Sequence, residues 1–429
     1  VTATQNIALH SGGRRARATQ RVARRIVLGL LRGLRAGRLT VLDGEQRAVF
    51  GEGAPRAIVR VNSPRLWPML LQGSRGMAEA YTQGLWESPD LTAVVCVAAR
   101  NAASLDRWRR RLAPVRVPLQ AARGVRARNT HARSRRDIAA HYDLGNDLFA
   151  LMLDETMMYS SAYFPRTDMT LAQASRAKME LVCKKLALRP GDRILEIGTG
   201  WGGFAVHAAQ TTGCRVTTTT ISREQYEHAR AWVQSAGVTD LVTVLFEDYR
   251  DLRGRYDKLV CIEMVEAVGY REFGTFFARC SDLLASDGAM LLQAIVIDDR
   301  AYAVEKASRS FIRTHIFPGG CLPSLGVIER CVARRTGMRA VQLSDLTPHY
   351  AETLRRWRAN FEAATTRLEQ LGYDERFRRL WRMYLAYCEA GFAERRIRSV
   401  QMLLAKPRWH ACAGLAGAYE SSQLLASQR

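Results

Sequence analysis

The sequence predicts an α/β protein built on a mostly parallel sheet and preceded by a small α+β accessory domain. Two observations predict it. From Ile194 onward, short apolar runs that read as strands alternate with helical patterns, which implies a parallel sheet covered on both faces. The first of these strands ends in Gly198-Thr-Gly-Trp-Gly-Gly203, and Phe204-Ala-Val-His-Ala-Ala209 then opens a helix. A strand, a glycine turn and a helix N-terminus form the ligand end of a doubly wound sheet, where glycines let a ligand approach the backbone.

Taken in order, residues 1–20 are polar and basic and are expected to be mobile. Leu39-Thr-Val-Leu42, an Asp43-Gly44 turn, Arg47-Ala-Val-Phe50 and Ala57-Ile-Val-Arg-Val61 read as small strands joined by turns. Helical signals follow at Ser63–Gln72, Met77–Gly84 and Leu91–Asn101, so residues 1–105 form the accessory domain. The Arg-rich stretch 106–136, with its two prolines, reads as a linker or surface wrap. The main domain, 137–407, has candidate strands at Arg193–Ile197, Arg215–Ile221, Leu241–Phe246, Tyr256–Ile262 and Gly288–Ile297. A helical insertion over Asp298–Gly337 and a helical block over Tyr350–Phe392 are bracketed by two late strands, Arg339–Leu343 and Val400–Ala405. Five parallel strands plus a late pair suit a Rossmann-like, seven-stranded class I methyltransferase sheet with the insertions as a substrate cap. The Ala/Ser-rich tail, 408–429, is expected to fray.

The glycine spacing G-x-G-x-G-G lacks the Lys-Ser/Thr pair that grips phosphates, which argues against a P-loop. Glu196 at the strand end and the glycines after it suit S-adenosylmethionine, which has no phosphate. No apolar run approaches the roughly 18–20 residues needed to span a bilayer. Ile26–Leu31 is short and flanked by arginines, so neither a span nor a secretory signal is expected there. The nine cysteines are scattered without a C-x-x-C pair, as expected for reduced thiols in a cytoplasm, and no metal site is expected.

The net charge of +23 is uneven: residues 1–140 hold 26 Arg against 8 Asp and Glu, a net +18. Such a surface suits a polyanion, either nucleic acid or an anionic membrane face; the bland alternative is a solvated linker in an Arg-rich protein. Neither zinc-finger spacing nor an RNA-recognition aromatic motif accompanies the charge, which weakens the nucleic-acid reading.

His141-Tyr-Asp-Leu-Gly-Asn-Asp-Leu-Phe149 and Met158-Tyr-Ser-Ser-Ala-Tyr-Phe164 resemble segments of the cyclopropane-fatty-acyl-phospholipid synthase family, which includes methylene-fatty-acyl synthases. So do Leu195–Phe204, Thr218–Gln225, Glu247–Asp251, Glu263-Met-Val-Glu-Ala-Val-Gly269, Ile316–Ser324, His349–Trp357 and Tyr373–Phe377. With Ala78–Trp86 added, the resemblance runs from about residue 35 to 405. It implies a methyltransferase that moves a one-carbon unit from S-adenosylmethionine to the cis double bond of an unsaturated phospholipid acyl chain. Methyl transfer leaves a carbocation, and relatives use a bound hydrogencarbonate ion as the base that deprotonates it.

By the same resemblance Glu266, Gln293, Ile295, Tyr350 and the backbone at Ser161 should surround that anion. Tyr159 and Ser160 should close over the methionine part of the cofactor, with Gly198 and Gly200 beneath it. Thr220 and Gln225 follow the second strand, where many nucleotide folds place a ribose-binding acid; Gln225 stands in for it. Asp248 and Tyr249 are placed for the adenine, and Trp201 reads equally well as packing. The family commonly has Cys at Ser161, and its ring-forming members often have His at Gln293 and Ala267. The last two departures resemble a subgroup that leaves a methylene branch on an oleoyl chain rather than a cyclopropane. The resulting expectation is a cytoplasmic enzyme, peripherally bound to the inner membrane face and making methylene-branched chains. Cyclopropane formation is the close alternative, and a non-catalytic lipid-binding homologue is the rival from another class. A nucleic-acid methyltransferase is disfavoured by the lack of an Asn-Pro-Pro-Tyr or Pro-Cys motif, and a homodimer is left open.

Overall fold

A computed structural model describes residues 3–102, 145–307 and 310–410 of the chain. The Arg-rich stretch 106–136, the motif residues His141–Leu144 and the tail beyond His410 lie outside the described residues. The chain divides into two units.

The first unit begins with a helix, Ala3–Leu31, which covers the 1–20 stretch that the sequence left without an element. Strands β1 (Arg38–Asp43), β2 (Gln46–Phe50), β3 (Arg56–Val61) and β4 (Trp86–Glu87) make a sheet of order β2-β1-β3-β4. The β1–β2 hairpin closes through Gly44, whose φ of 59° is the left-handed conformation that favours glycine at the Asp-Gly turn. Helices Leu66–Leu70, Ser74–Thr82 and Leu91–Arg100 follow, the last N-capped by Asp90, whose carboxylate accepts from Ala93 N at 2.9 Å. The unit also takes in Thr366–Glu394, which the sequence assigns to the main domain. The helix Glu375–Ala393 belongs here because Arg379 lies 4.2 Å from the ring centre of Tyr81 and donates to Tyr81 O and Trp86 O. Ala390 adds to this packing by closing an apolar cluster with Val95 and Cys96.

The second unit holds seven strands: β5 (Arg193–Ile197), β6 (Arg215–Thr220), β7 (Val242–Phe246), β8 (Tyr256–Ile262), β9 (Leu284–Ile297), β10 (Arg339–Asp345) and β11 (Ile397–Ala405). Their order is β10-β11-β9-β8-β5-β6-β7, with β5 to β9 parallel and β11 antiparallel to both β9 and β10. Each expected strand is present, with ends that differ by a few residues.

Side-chain alternation explains why these strands read as continuous apolar runs. Leu195, Ile197, Leu259, Cys261, Met290 and Leu292 meet Phe273, Phe276 and Phe277 in one buried cluster. Ile194, Val216, Val260, Ala289 and Leu291 face the other way, onto Val182, Phe204 and Ala208. Both faces are thus covered, as a parallel sheet requires. Strand order reverses between β5 and its neighbours β8 and β6, so the loop after β5 opens at the topological switch point. Among the described residues, no helix is long and apolar enough to cross a membrane.

Phe276 is fully buried and meets Tyr249 and Phe277 edge-on, each with ring centres 5.3 Å apart. Phe276→Ala should therefore cost about 3–5 kcal/mol, read as a lowered urea midpoint of this unit.

Candidate active site at the carboxyl edge of the sheet

The residues after β5, β6, β7 and β8 converge on one edge of the sheet. Gly198, Gly200 and Gly202 all have positive φ (102°, 55° and 100°), and Gly198 N and Thr199 N both donate to Thr219 O, holding the loop against β6. A side chain on Gly198 would lie 3.1 Å from Met264 Cβ, whereas the Cβ position at Gly200 faces open space. The loop therefore needs glycine for two reasons: close packing against the end of β8, and an open face on which a ligand can lie.

The expected cofactor residues surround this loop. Ser160 Oγ accepts from the fully buried Lys178 Nζ at 2.9 Å. Tyr159 packs between Phe149 and Trp357, with ring centres 5.1 and 5.3 Å away. Thr220 donates to the side-chain carbonyl of Gln225 at 2.9 Å, fixing the amide beyond β6. Beyond β7, Asp248 is buried and gripped by Arg250 through Nε at 2.8 Å and Nη2 at 2.7 Å, so an adenine contact through Asp248 would share a carboxylate already paired. The neighbouring Tyr249 stacks edge-on against Phe276, and burial raises its phenol pKa. Trp201 is almost wholly buried and donates to Asn146 Oδ1 at 2.7 Å, which is packing against the loop.

Glu196 lies under the loop. Burial raises its pKa to about 8, offset in part by Thr218, which donates to it at 2.6 Å and pairs with Thr199 at 2.7 Å. Lys178 is lowered to about 8, also by burial, with Glu263, Asp154 and Glu196 as the opposing charges.

The expected anion site is where structure and sequence part. Gln293, Tyr350 and Ser161 do come together, but around a residue that the sequence reading quoted in a motif and gave no role. Glu263 Oε1 accepts from Ser161 N at 3.0 Å and from Gln293 Nε2 at 2.8 Å, and Glu263 Oε2 accepts from Tyr350 OH at 2.6 Å. Glu266 stands apart from this group. Its Oε1 accepts from Ile295 N at 2.5 Å, and its Oε2 is buried without a hydrogen-bond partner among the described residues. Ile295 thus contributes its backbone to Glu266 rather than to the same carboxylate as Gln293.

The two acids have different environments. Both are half-buried and shielded from water, and desolvation raises both pKa values, but three donors favour the anion at Glu263. Glu266 is pushed up to about 8 by desolvation first and by the Glu263 charge second, offset in part by the backbone N–H groups of Ile295 and of Glu266 itself. One signal for Glu263 was available: an acid immediately after a strand whose parallel neighbour carries Gln293 opposite Ile262.

A second set escaped the sequence reading altogether. Lys185 Nζ donates to Gln401 Oε1 at 2.8 Å, Gln401 Nε2 to Gln293 Oε1 at 2.9 Å, and Gln293 Nε2 then to Glu263. An ammonium only donates and a carboxylate only accepts, so the two ends fix the orientation of both amides.

A glycine loop at the switch point of a β7-β6-β5-β8-β9-β11-β10 sheet, ringed by these polar groups, defines a class I S-adenosylmethionine-dependent methyltransferase. The profile of the family described as mycolic acid cyclopropane synthetase matches residues 129–402. The chain belongs to that family, the cyclopropane-fatty-acyl-phospholipid synthases. It is 38% identical over 370 residues to the tuberculostearic acid methyltransferase of Mycobacterium tuberculosis, covering 83% of this chain and 84% of that one. It is 34% identical over 357 residues to the cyclopropane-fatty-acyl-phospholipid synthase of Escherichia coli K12, covering 82% and 89%. Among solved structures, a cyclopropane synthase from Mycobacterium tuberculosis matches with a TM-score of 0.60 and 32% identity, over 63% of this chain and 98% of that one. A mycolic acid cyclopropane synthase complexed with S-adenosylhomocysteine and CTAB matches at 0.59 and 33%, again over 63% and 98%.

Two outcomes follow from this geometry. Gly200→Val adds a branched side chain to the open face at a φ of 55° and should abolish S-adenosylmethionine binding by calorimetry; a folded variant of unchanged affinity would remove Gly200 from the pocket. The second concerns Glu196, whose pKa is raised on folding from 4.5 to about 8. Its contribution to stability is full below pH 4.5 and is lost as pH rises to about 8. The stability of Glu196→Gln relative to wild type should therefore increase from pH 5 to pH 8 in urea titrations.

Proposed function

We propose that the enzyme methylates the cis double bond of unsaturated, oleoyl-type phospholipid acyl chains and releases a methylene-branched chain. The observation that carries this reading is the Glu263–Gln293–Tyr350 cluster beside the glycine loop, in a chain similar over most of its length to enzymes whose names carry a fatty acid or a fatty-acyl phospholipid. When bound, S-adenosylmethionine supplies an electrophilic methyl group and leaves as the neutral thioether. An alkene is a weak nucleophile, so the protein must hold it in line with that methyl and exclude water. The residues here suit that task. Phe149, Tyr159 and Trp357 give an aromatic wall, and Tyr350 turns its ring edge-on to Trp357 at 6.1 Å while its hydroxyl is held by Glu263. Aromatic faces stabilise a nearby carbocation without trapping it.

Hydrogencarbonate does not fit this arrangement as expected. Ser161 N, Gln293 and Tyr350, the donors that would grip it, already hold Glu263; of the two remaining members of the expected set, Ile295 N is taken by Glu266 Oε1, and Glu266 Oε2 is one oxygen without a hydrogen-bond partner among the described residues.

A cyclopropane product shares the same cation and differs in the bond formed when the proton leaves. The methylene reading rests on Gln293, whose amide is held in a fixed direction by Gln401 and Lys185 and cannot titrate as His would. The enzyme should convert dioleoyl phospholipid in vesicles to a product one CH2 heavier. NMR should show the vinylidene protons of a methylene branch; the upfield signals of a ring would assign cyclopropane instead, and no heavier lipid would reject the substrate class.

The +18 charge of residues 1–140 supports docking on an anionic membrane face, worth up to about 1 kcal/mol per Arg near the surface. Co-sedimentation should rise with the share of anionic lipid and fall with salt; binding indifferent to both would reject this docking mode.

A further inference from the structure

We propose that Glu263 is the base of this reaction: its carboxylate occupies the anion position itself and takes the proton that the carbocation loses. The proposal rests on the alkene-methylation reading above, and its starting point is the misfit of hydrogencarbonate to a cradle that a protein carboxylate already fills.

Three observations carry it. The first is the convergence of donors. A carboxylate has about four acceptor sites, and Ser161 N, Gln293 Nε2 and Tyr350 OH use three of them, leaving one open to a proton. The second is the backbone. Glu263 has a φ of 50°, a left-handed conformation that is strained for a non-glycine residue and persists only where its surroundings hold it. Glu263 N donates to Gln293 O at 2.8 Å, so the same strand residue fixes the backbone and the carboxylate together. The third is location. The next residue, Met264, packs against Gly198 of the glycine loop, and Ser161, which donates to the carboxylate, adjoins Tyr159 and Ser160, so the carboxylate lies beside the loop and the segment expected to hold the methyl donor.

The chemistry matches. A proton on carbon next to a carbocation is strongly acidic, so a weak base suffices and its position matters more than its strength. After a hydride shift has placed the charge on the methyl-bearing carbon, a C–H bond of the new methyl group breaks. Its electron pair becomes the second bond of the methylene branch, and the proton goes to a Glu263 oxygen and from there to water as product leaves. No oxidant or reductant enters. The three hydrogen bonds also occupy lone pairs that could otherwise capture the cation as an ester.

Wild-type turnover is measured first in ordinary buffer, as methylated lipid and released S-adenosylhomocysteine, which tests the reaction itself. The assay is then repeated in buffer freed of carbon dioxide and hydrogencarbonate, which tests the base. Unchanged turnover is expected; turnover that vanishes and returns with added hydrogencarbonate would overturn the proposal. Glu263→Gln, which keeps the shape, should lose about 10²–10⁴-fold in kcat with cofactor affinity retained, whereas near-normal turnover would overturn it. Glu263→Gly opens the cradle and should regain turnover with added hydrogencarbonate or formate; full activity of that variant without any added anion would equally overturn it.

Discussion

A half-buried carboxylate just beyond β8 holds the carboxyl edge of the sheet together. Glu263 receives a backbone N–H from the loop before the helix Leu171–Leu186, an amide from β9 and a phenol from the helix Thr347–Ala363. Through Gln293 it is joined to Gln401 on β11 and to Lys185. Elements separated by well over a hundred residues in sequence are thereby fixed around one negative charge. Removing that charge from water is costly, and only donors with good geometry make it tolerable. A site arranged this way is ordered before any ligand arrives, which is what a reaction limited by alignment needs.

The same logic operates one layer down. Glu196 and Lys178 are both wholly buried beneath the cofactor loop, and burial moves the acid up and the amine down to about 8. Thr218 and Thr199 bind the acid to the loop that follows β5, and Ser160 binds the amine to the segment expected to cover the methionine. The loop is therefore held by buried polar contacts from beneath and by glycine packing against Met264 from the side. Its open face at Gly200 is left for the ligand.

The strands were readable because their cause is local. Apolar runs such as Leu259-Val-Cys261 bury both faces, and the glycine turn after Ile197 has few alternatives at a strand-to-helix junction. The family motifs likewise pointed to Gln293, Tyr350 and Ser161, which the fold does bring together. Glu263 carried a weaker signal. It stood in the quoted motif beside Glu266, and spacing alone does not say which of two acids three residues apart faces the donors. The left-handed turn at Glu263 decides that, and it is stabilised only by partners on other elements. Helix Glu375–Ala393 reads as part of the main domain because the late strands bracket it in sequence, whereas its cation and apolar face meet Tyr81, Val95 and Cys96.

The sequence by itself determined the sheet, the position of the cofactor loop, the family and the set of residues from which a site could be drawn. Each of these follows from periodicity, glycine placement or motif order, which are properties of short stretches of chain. Only the tertiary structure decided which acid the donors hold, which way the amides of Gln293 and Gln401 point, and that Lys185 anchors them. Those choices depend on hydrogen-bond direction across β9, β11 and two helices, and direction is set when an ammonium at one end and a carboxylate at the other are brought within reach of the same amides.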